Sequence, residues 1–414
     1  MFVKPSDYSL PSFQKATPFP PPKPYPNLNA APTFTAIMRI AINTRCLLPN
    51  QLEGYGNFTA ETMRLVTQQH PEHQFFFLFD RPYNDQFVFS KNVTPIVIGP
   101  PARHAILFKW WYDVRVPAVL RKIKADVFVS PDGFCSLATK VPQVLIVHDL
   151  AFIHYPAFIK KSHLFFYKRY TPKYIGKASL IATVSQFSKQ DIIEQYKTTP
   201  EKILVIGCGA RQIFQPASWQ QKEATKEKYT AGKEYFLYSG SIHPRKNLVN
   251  LLKAFSLFKK RQQSNMQLVL CGRMAWQTND FEEKLTSYKY RDDVKLLGFV
   301  ADEELAALTA AAYALVLPSL WEGFGMPIIE AMQCGVPAVT SNTSSMPEVG
   351  GDAALYYDPN NPDDIATQMK LIYKDENLRN QLIANGAVQV QKYNWQKTAD
   401  ALWEMILSLA PQKL

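Results

Sequence analysis

The sequence predicts an α/β protein made of two parallel-sheet domains, and three observations carry that prediction. At 414 residues the chain is too long for one ordinary hydrophobic core, so two domains are the default. Apolar runs of strand length recur along it with helical stretches between them, the alternation that builds parallel sheets. The stretch 314–340, ALVLPSLWEGFGMPIIEAMQCGVPAVT, holds the whole pattern in one unit. There Ala314 to Leu317 reads as a buried strand, ended by Pro318 and Ser319, and Gly323, Phe324 and Gly325 follow in a loop that a side chain would obstruct. Pro327 sits where a helix starts, because its missing N–H is not needed in the first turn. The helix runs from Ile328 to Gln333, stops at Gly335, and Val336 to Thr340 returns as a strand.

The physical use of such a loop is anion binding. The backbone N–H groups of Gly323, Phe324, Gly325 and Met326 have no partner within the helix, and the helix dipole adds positive charge there. Glu322 precedes the loop and Glu330 lies one turn into the helix. Both are expected at the crevice where open α/β sheets bind ligands. A carboxylate beside an anion seat is suited to accepting hydrogen bonds from hydroxyl groups, such as those of a sugar or a ribose.

The run PSLWEGFGMPIIEAMQCGVP, with Glu322 and Glu330 eight apart, resembles the E-x7-E signature of retaining glycosyltransferases of family 4, which have the GT-B fold. The resemblance covers residues 38–409, with the second half the more diagnostic. It implies two Rossmann-like domains facing across a cleft, with a C-terminal helix crossing back to the first domain. The expected division is a tail over 1–37, an acceptor-side domain over 38–212, a nucleotide-sugar domain over 213–394 and the returning helix over 395–414.

Composition narrows the class. Hydrophobic residues make up 47%, with no apolar run long enough to span a bilayer, and the aromatic run Phe75 to Phe79 reads as a buried strand. Five cysteines (46, 135, 208, 271, 334) stand singly, without a disulfide framework or CxxC spacing, which points to a reducing, cytoplasmic location. The net charge of +11 is uneven. Residues 38–212 carry 22 Lys+Arg against 12 Asp+Glu (+10), residues 213–414 carry 21 against 22 (−1), and the first 37 carry 3 against 1 (+2). No nucleic-acid motif accompanies the basic half, so it points to an anionic membrane at whose inner face the protein would sit, or to a phosphate-bearing acceptor. Solubility charge explains it equally well.

Along the chain, residues 1–37 hold nine prolines and no hydrophobic period, which favours extended, solvated backbone. They lack the pattern of a secretory signal, and the native start is either Met1 or Met38. Met38 to Asn43 is a parallel-type strand, followed by a glycine loop over 52–57 and a helix over 58–69. By resemblance Gly54 and Gly56 let backbone approach the donor sugar or the acceptor; a structural turn explains a GxG equally well. Further strands are expected at 74–79, 93–98, 127–130 and 144–148. The helical stretch 109–124 mixes Trp110 and Trp111 with five basic residues; it either rests on a bilayer interface or turns its aromatics to the core. His148 ends a strand at the ligand-binding crevice, and the resemblance places it against the donor sugar beside Asp149. Ser185 reads as a helix cap, and 203–208 closes the first domain.

After a charged linker over 220–233, the strand 235–239 leads through Gly240 to Pro244-Arg245-Lys246-Asn247 and a helix over 248–260. This segment resembles the family's diphosphate clamp, with Arg245 a bidentate donor and Lys246 a point charge. Strands follow at 267–271 and 294–300, and in the family the backbone around Val300 meets the nucleotide base. Glu348 with Gly350-Gly351-Asp352 reads as a structural turn and helix start.

The implied reaction is transfer of a hexose from a nucleotide sugar to a hydroxyl of a glycan or glycolipid acceptor, with retention, in polysaccharide or glycolipid assembly. The R-K-N and G-F-G-M-P variants resemble mannosyltransferases, so mannose from GDP-mannose is favoured over a UDP-hexose. A sugar-nucleotide epimerase and an inactive GT-B scaffold are the other readings. Arg245, Lys246 and the 323–326 amides would stabilise the leaving diphosphate, with His148 and Glu322 at the sugar and Glu330 at the ribose. No DxD motif is present, since Asp292-Asp293 and Asp363-Asp364 are adjacent pairs, so neither a metal nor a cofactor is expected.

Overall fold

Seven parallel strands form the first sheet of the computed structural model, which describes residues 37–49, 52, 54–102, 105–274 and 279–410. The proline-rich tail up to residue 36 and the last four residues of the expected C-terminal segment lie outside the described residues. The strands are β1 (Arg39–Asn43), β2 (Gln74–Phe79), β3 (Val93–Val97), β4 (Val127–Ser130), β5 (Gln143–Val147), β6 (Leu180–Thr183) and β7 (Ile203–Val205). Their spatial order is β3-β2-β1-β4-β5-β6-β7. A second parallel sheet contains β8 (Tyr235–Ser239), β9 (Gln267–Cys271), β10 (Val294–Gly298), β11 (Ala314–Leu317), β12 (Ala338–Ser341) and β13 (Ala354–Tyr357), in the order β10-β9-β8-β11-β12-β13. These are the two Rossmann-like halves expected from the sequence.

The central strands β4, β5, β8, β9 and β11 are buried along their whole length, which is why they read as continuous apolar runs. In each sheet the order reverses beside one strand, between β1 and β4 and between β8 and β11. A crevice opens at the carboxyl ends of those strands because their following loops diverge to opposite faces. The loops after β1, β8 and β11 all contribute to the site described below.

Four local expectations change. Gly54 and Gly56 do not lie in a loop: they open the helix Gly54–Gln69. A Cβ at Gly56 would come 3.2 Å from the Cys46 carbonyl and from Leu52, so this glycine serves close packing of the first turn. The stretch 220–233 is mostly no linker but the helix Trp219–Thr230, started by a capping box between Ser218 and Gln221. The strand β13 was not anticipated; it is a four-residue edge strand behind the turn at Gly351. Finally, the 109–124 stretch belongs to a longer helix, α-helical over Ala105–Trp110 and Val116–Ile123 with a π-turn over Trp111–Arg115 between them. Trp111 and Tyr112 are fully buried, as the core-facing reading has it, whereas Ile106, Trp110 and Val114 remain exposed.

The C-terminal helix Trp395–Ser408 packs on the helix Gly54–Gln69 of the first half. The ring of His70 stacks on Trp403 at 3.8 Å, and Phe58 meets Trp395 edge-on at 6.0 Å. Gly209, on the segment leaving the first sheet, has no room for a side chain, because a Cβ would lie 2.4 Å from the Trp395 nitrogen. The two chain crossings between the halves therefore run against each other.

Candidate active site

A cleft of about 440 Å³ lies between the carboxyl ends of the two sheets. His148, Gly54, Gly240, Arg245, Lys246, Val300, Glu322, Gly323, Phe324, Gly325, Met326 and Glu330 all line it. Gly56 does not; it lines a neighbouring cavity of about 180 Å³.

The loop after β11 is the floor of the cleft. Gly325 takes a φ of +98° and caps the helix Met326–Gln333, with Pro327 in its first turn. Among the described residues the N–H groups of Gly323, Phe324 and Gly325 have no acceptor. Phe324 anchors the loop edge-on against Tyr393 at 5.2 Å. Gly323 is needed for a different reason: a Cβ there would sit 2.2 Å from the carbonyl oxygen of His148. Its own carbonyl accepts from the hydroxyls of Ser185 at 2.7 Å and Ser188 at 3.3 Å. Here the two halves touch directly.

The basic turn after β8 is fixed by its neighbours. His243 Nδ1 accepts from the Arg245 N–H at 3.2 Å. Asn247, at a φ of +61°, donates to the carbonyls of Pro318 (3.1 Å) and Pro359 (2.7 Å). The turn therefore rides on the end of β11, and both cations reach Glu322. Lys246 Nζ lies 2.5 Å from Glu322 Oε1 and Arg245 Nη1 lies 3.4 Å from Oε2, while the Ser319 hydroxyl donates to Oε1 at 2.5 Å. Arg245 also donates to the Trp321 carbonyl. Burial raises the pKa of Glu322, but Lys246 and Arg245 outweigh it and hold it down to about 2. Burial lowers the pKa of Lys246, against the pull of Glu322. Sequence spacing could not show that the clamp and the first glutamate, 76 residues apart, form one ion-paired group.

His148 is half-buried, and removal from solvent lowers its pKa. Its Nε2 lies 2.9 Å from the Pro131 carbonyl, which can only accept, so Nε2 carries the proton. In the neutral ring Nδ1 is then an acceptor. Phe58 packs on the ring edge-on at 5.0 Å. Asp149 accepts from the Ala151 N–H at 2.9 Å, so it caps the turn after His148.

Glu330 is buried and receives Arg211 Nε on its Oε1 at 2.8 Å. Burial raises its pKa, and Arg211 works against that rise. Sequence reasoning assigned Arg211 nothing; its one signal was a lone arginine beside the glycines 207 and 209. Two further links between the halves were also missed. Trp321 stacks on His154 at 3.9 Å and meets Phe187 edge-on at 4.9 Å. Glu348, read as part of a structural turn, accepts from the N–H groups of Gln186 (2.8 Å) and Phe187 (3.0 Å) at the start of the helix Gln186–Tyr196. Ser185 caps that helix, accepting from the Ser188 N–H at 3.0 Å.

The arrangement offers unpartnered amides, two cations and buried acceptors for hydroxyl groups around one cleft. Comparison with known proteins agrees with it. Residues 220–389 match the family of glycosyl transferases group 1, and residues 55–211 match glycosyltransferase family 4. The O-antigen chain mannosyltransferase B of Escherichia coli is 34% identical over 279 residues, 67% of this chain and 73% of that protein. The serotype-specific mannosyltransferase WbdA of the same species is 32% identical over 229 residues, 54% of this chain but 28% of its own length. Among solved structures, Anabaena Alr3699/HepE in complex with UDP and glucose superimposes with a TM-score of 0.69 at 18% identity, over 90% of this chain and all of that one. With both halves matched in order, the chain belongs to the group 1 glycosyltransferases of family 4, with the GT-B fold.

Proposed function

We propose that this glycosyltransferase moves mannose from GDP-mannose, with retention, to a hydroxyl of a growing polysaccharide or glycolipid. The observation that carries the reading is that Lys246, Arg245 and the Gly323–Met326 loop line one cleft, with both cations ion-paired to Glu322 at the start of that loop. A leaving diphosphate gains negative charge as the glycosidic bond breaks, and preorganised cations and amides stabilise that charge most in the transition state. Glu322 Oε1 holds Lys246 in place, leaving Oε2, more weakly engaged by Arg245, to accept from a sugar hydroxyl. The acceptor nitrogen of His148 serves the same sugar, Glu330 the ribose, and backbone near Val300 the base. Mannose is favoured because mannosyltransferases stand among the relatives at 30% identity or more. A UDP-hexose is the second reading, supported by the fold neighbour that binds UDP and glucose.

With protein cations at the leaving group, the reaction is proposed to need neither metal nor cofactor. Nine-tenths of the uneven charge lies in the first half, where the helices over 105–123 and Lys161–Lys177 expose Ile106, Trp110, Val114 and Phe165 among basic residues. We therefore propose peripheral contact with an anionic membrane, as the acceptor's location requires if it is lipid-linked. No helix among the described residues is long and apolar enough to cross a membrane. The test is a donor screen with GDP-mannose, UDP-glucose and other nucleotide sugars against lipid-linked and free glycan acceptors. Release of nucleoside diphosphate with a lengthened glycan supports transfer. An isomerised nucleotide sugar would mark an epimerase, and no turnover with any donor a scaffold.

A further inference from the structure

We infer that Arg211 is a positioning residue that orients Glu330 toward the ribose hydroxyls of the nucleotide, so that it governs discrimination between ribo- and deoxyribonucleotides. The inference rests on the nucleotide-sugar reading of the cleft. Arg211 comes from the segment that leaves β7, yet every contact that fixes it belongs to the connecting segment or the second half. Its guanidinium gives Nε to Glu330 Oε1 at 2.8 Å and Nη1 to Asp302 Oδ1 at 2.7 Å, and lies 4.8 Å from the ring centre of Phe214. Its carbonyl accepts from the side chain of Gln333 at 3.2 Å, on the same helix as Glu330.

Glu330 and Arg211 are 4% and 8% exposed, and both line the cleft. A carboxylate sealed this well would be drawn toward its neutral form and free to rotate if it stood alone. The arginine takes one oxygen and favours the ionised form against the effect of burial. Among the described residues Arg211 is the carboxylate's one hydrogen-bond partner, and it engages Oε1. A ribose carries two adjacent O–H donors, and an ionised carboxylate held by one oxygen presents acceptor sites for them. A lysine at this position would supply charge but not the fork that spans Glu330 and Asp302.

The test uses the full chain and calorimetric binding of GDP and UDP, each with its 2′,3′-dideoxy form. The wild type is expected to prefer the ribonucleotide by about tenfold or more, as for loss of charge-assisted hydrogen bonds. Arg211→Gln should cut that preference at least fivefold by weakening the ribonucleotide alone, and Arg211→Lys should restore part of it. Glu330→Gln should remove the preference, with Arg211→Gln adding little on top, as for two residues that act as one unit. Equal weakening of ribo and dideoxy forms would reduce Arg211 to a structural strut and overturn the inference. So would an unchanged ratio, or a wild type that binds both forms alike. Should Arg211→Gln fail to fold, Asp302→Asn releases the other end of the arginine from an exposed site and should lower the ratio more modestly; no change there would also overturn it. Wild-type protein that binds no nucleotide at all would refute the donor reading itself, which the product assay tests separately.

Discussion

Replacing Glu322 by glutamine isolates the ion-paired group at the centre of the cleft. The amide keeps the size and the Ser319 contact but leaves Lys246, 14% exposed in its side chain, without its ion-pair partner, and with only the more distant Asp149 as counter-charge. Removing one partner of a buried pair costs about 3–5 kcal/mol; with the isosteric amide retained, about 3 kcal/mol is the fair expectation. The unit from Ile37 to Leu414 has 378 residues, so its unfolding entropy near the midpoint is about 0.8 kcal/mol/K, and the melting temperature should drop by about 4 °C. A nucleoside diphosphate brings the missing negative charge to Lys246. In its presence the deficit should shrink, and the variant should bind the diphosphate several-fold more tightly than the wild type. Turnover should nevertheless fall, because the sugar loses its charged acceptor. Thermal melts with and without GDP or UDP, titration calorimetry and steady-state kinetics give the three readings. A variant that melts like the wild type, or whose diphosphate affinity falls in step with turnover, would refute the reasoning that Glu322 holds the clamp.

Other perturbations test neighbouring parts. Gly323→Ala forces a methyl group to within 2.2 Å of the His148 carbonyl, and the backbone on both sides cannot yield cheaply. An overpacking cost of about 1–3 kcal/mol should part the halves and lower kcat/KM by about tenfold, with diphosphate affinity much less affected. The acid limb of stability should carry His243, whose pKa is pushed down from 6.5 to about 4 by burial and then by Arg245 and Lys246. A lowered histidine pKa means the unfolded chain takes up the proton first, so stability is full above pH 6.5 and is lost as pH falls toward 4. Melts across that window should show the loss, and His243→Asn, which keeps a capping acceptor, should flatten it. Excess EDTA should leave turnover intact; activity lost and then restored by Mg²⁺ or Mn²⁺ would show that the protein cations are insufficient. Cosedimentation with anionic vesicles should exceed that with neutral ones and weaken with salt, since charges are screened beyond about 8 Å at physiological strength. Equal sedimentation would remove the electrostatic argument.

The sequence alone determined the two-sheet architecture and most strand positions, because parallel strands buried on both faces leave continuous apolar runs such as Tyr235–Ser239 and Gln267–Cys271. It also located the glycine loop and the basic turn, since both depend on local backbone chemistry: Gly325 at positive φ, Pro327 in the first turn, and cations at a loop-to-helix junction. It did not disclose what those groups face. Glu322 meets Lys246 and Arg245, Glu330 meets Arg211, and Glu348 reaches the start of the helix Gln186–Tyr196, over separations of 76, 119 and 162 residues. The loop placement of Gly54 and Gly56 fell to the helix they open, and the Cys46 carbonyl that demands Gly56 comes from another turn of chain. Periodicity and turn preferences act over a few neighbouring residues, whereas ion pairing and close approach depend on which sheet edges the fold brings together. Only the tertiary structure decides that.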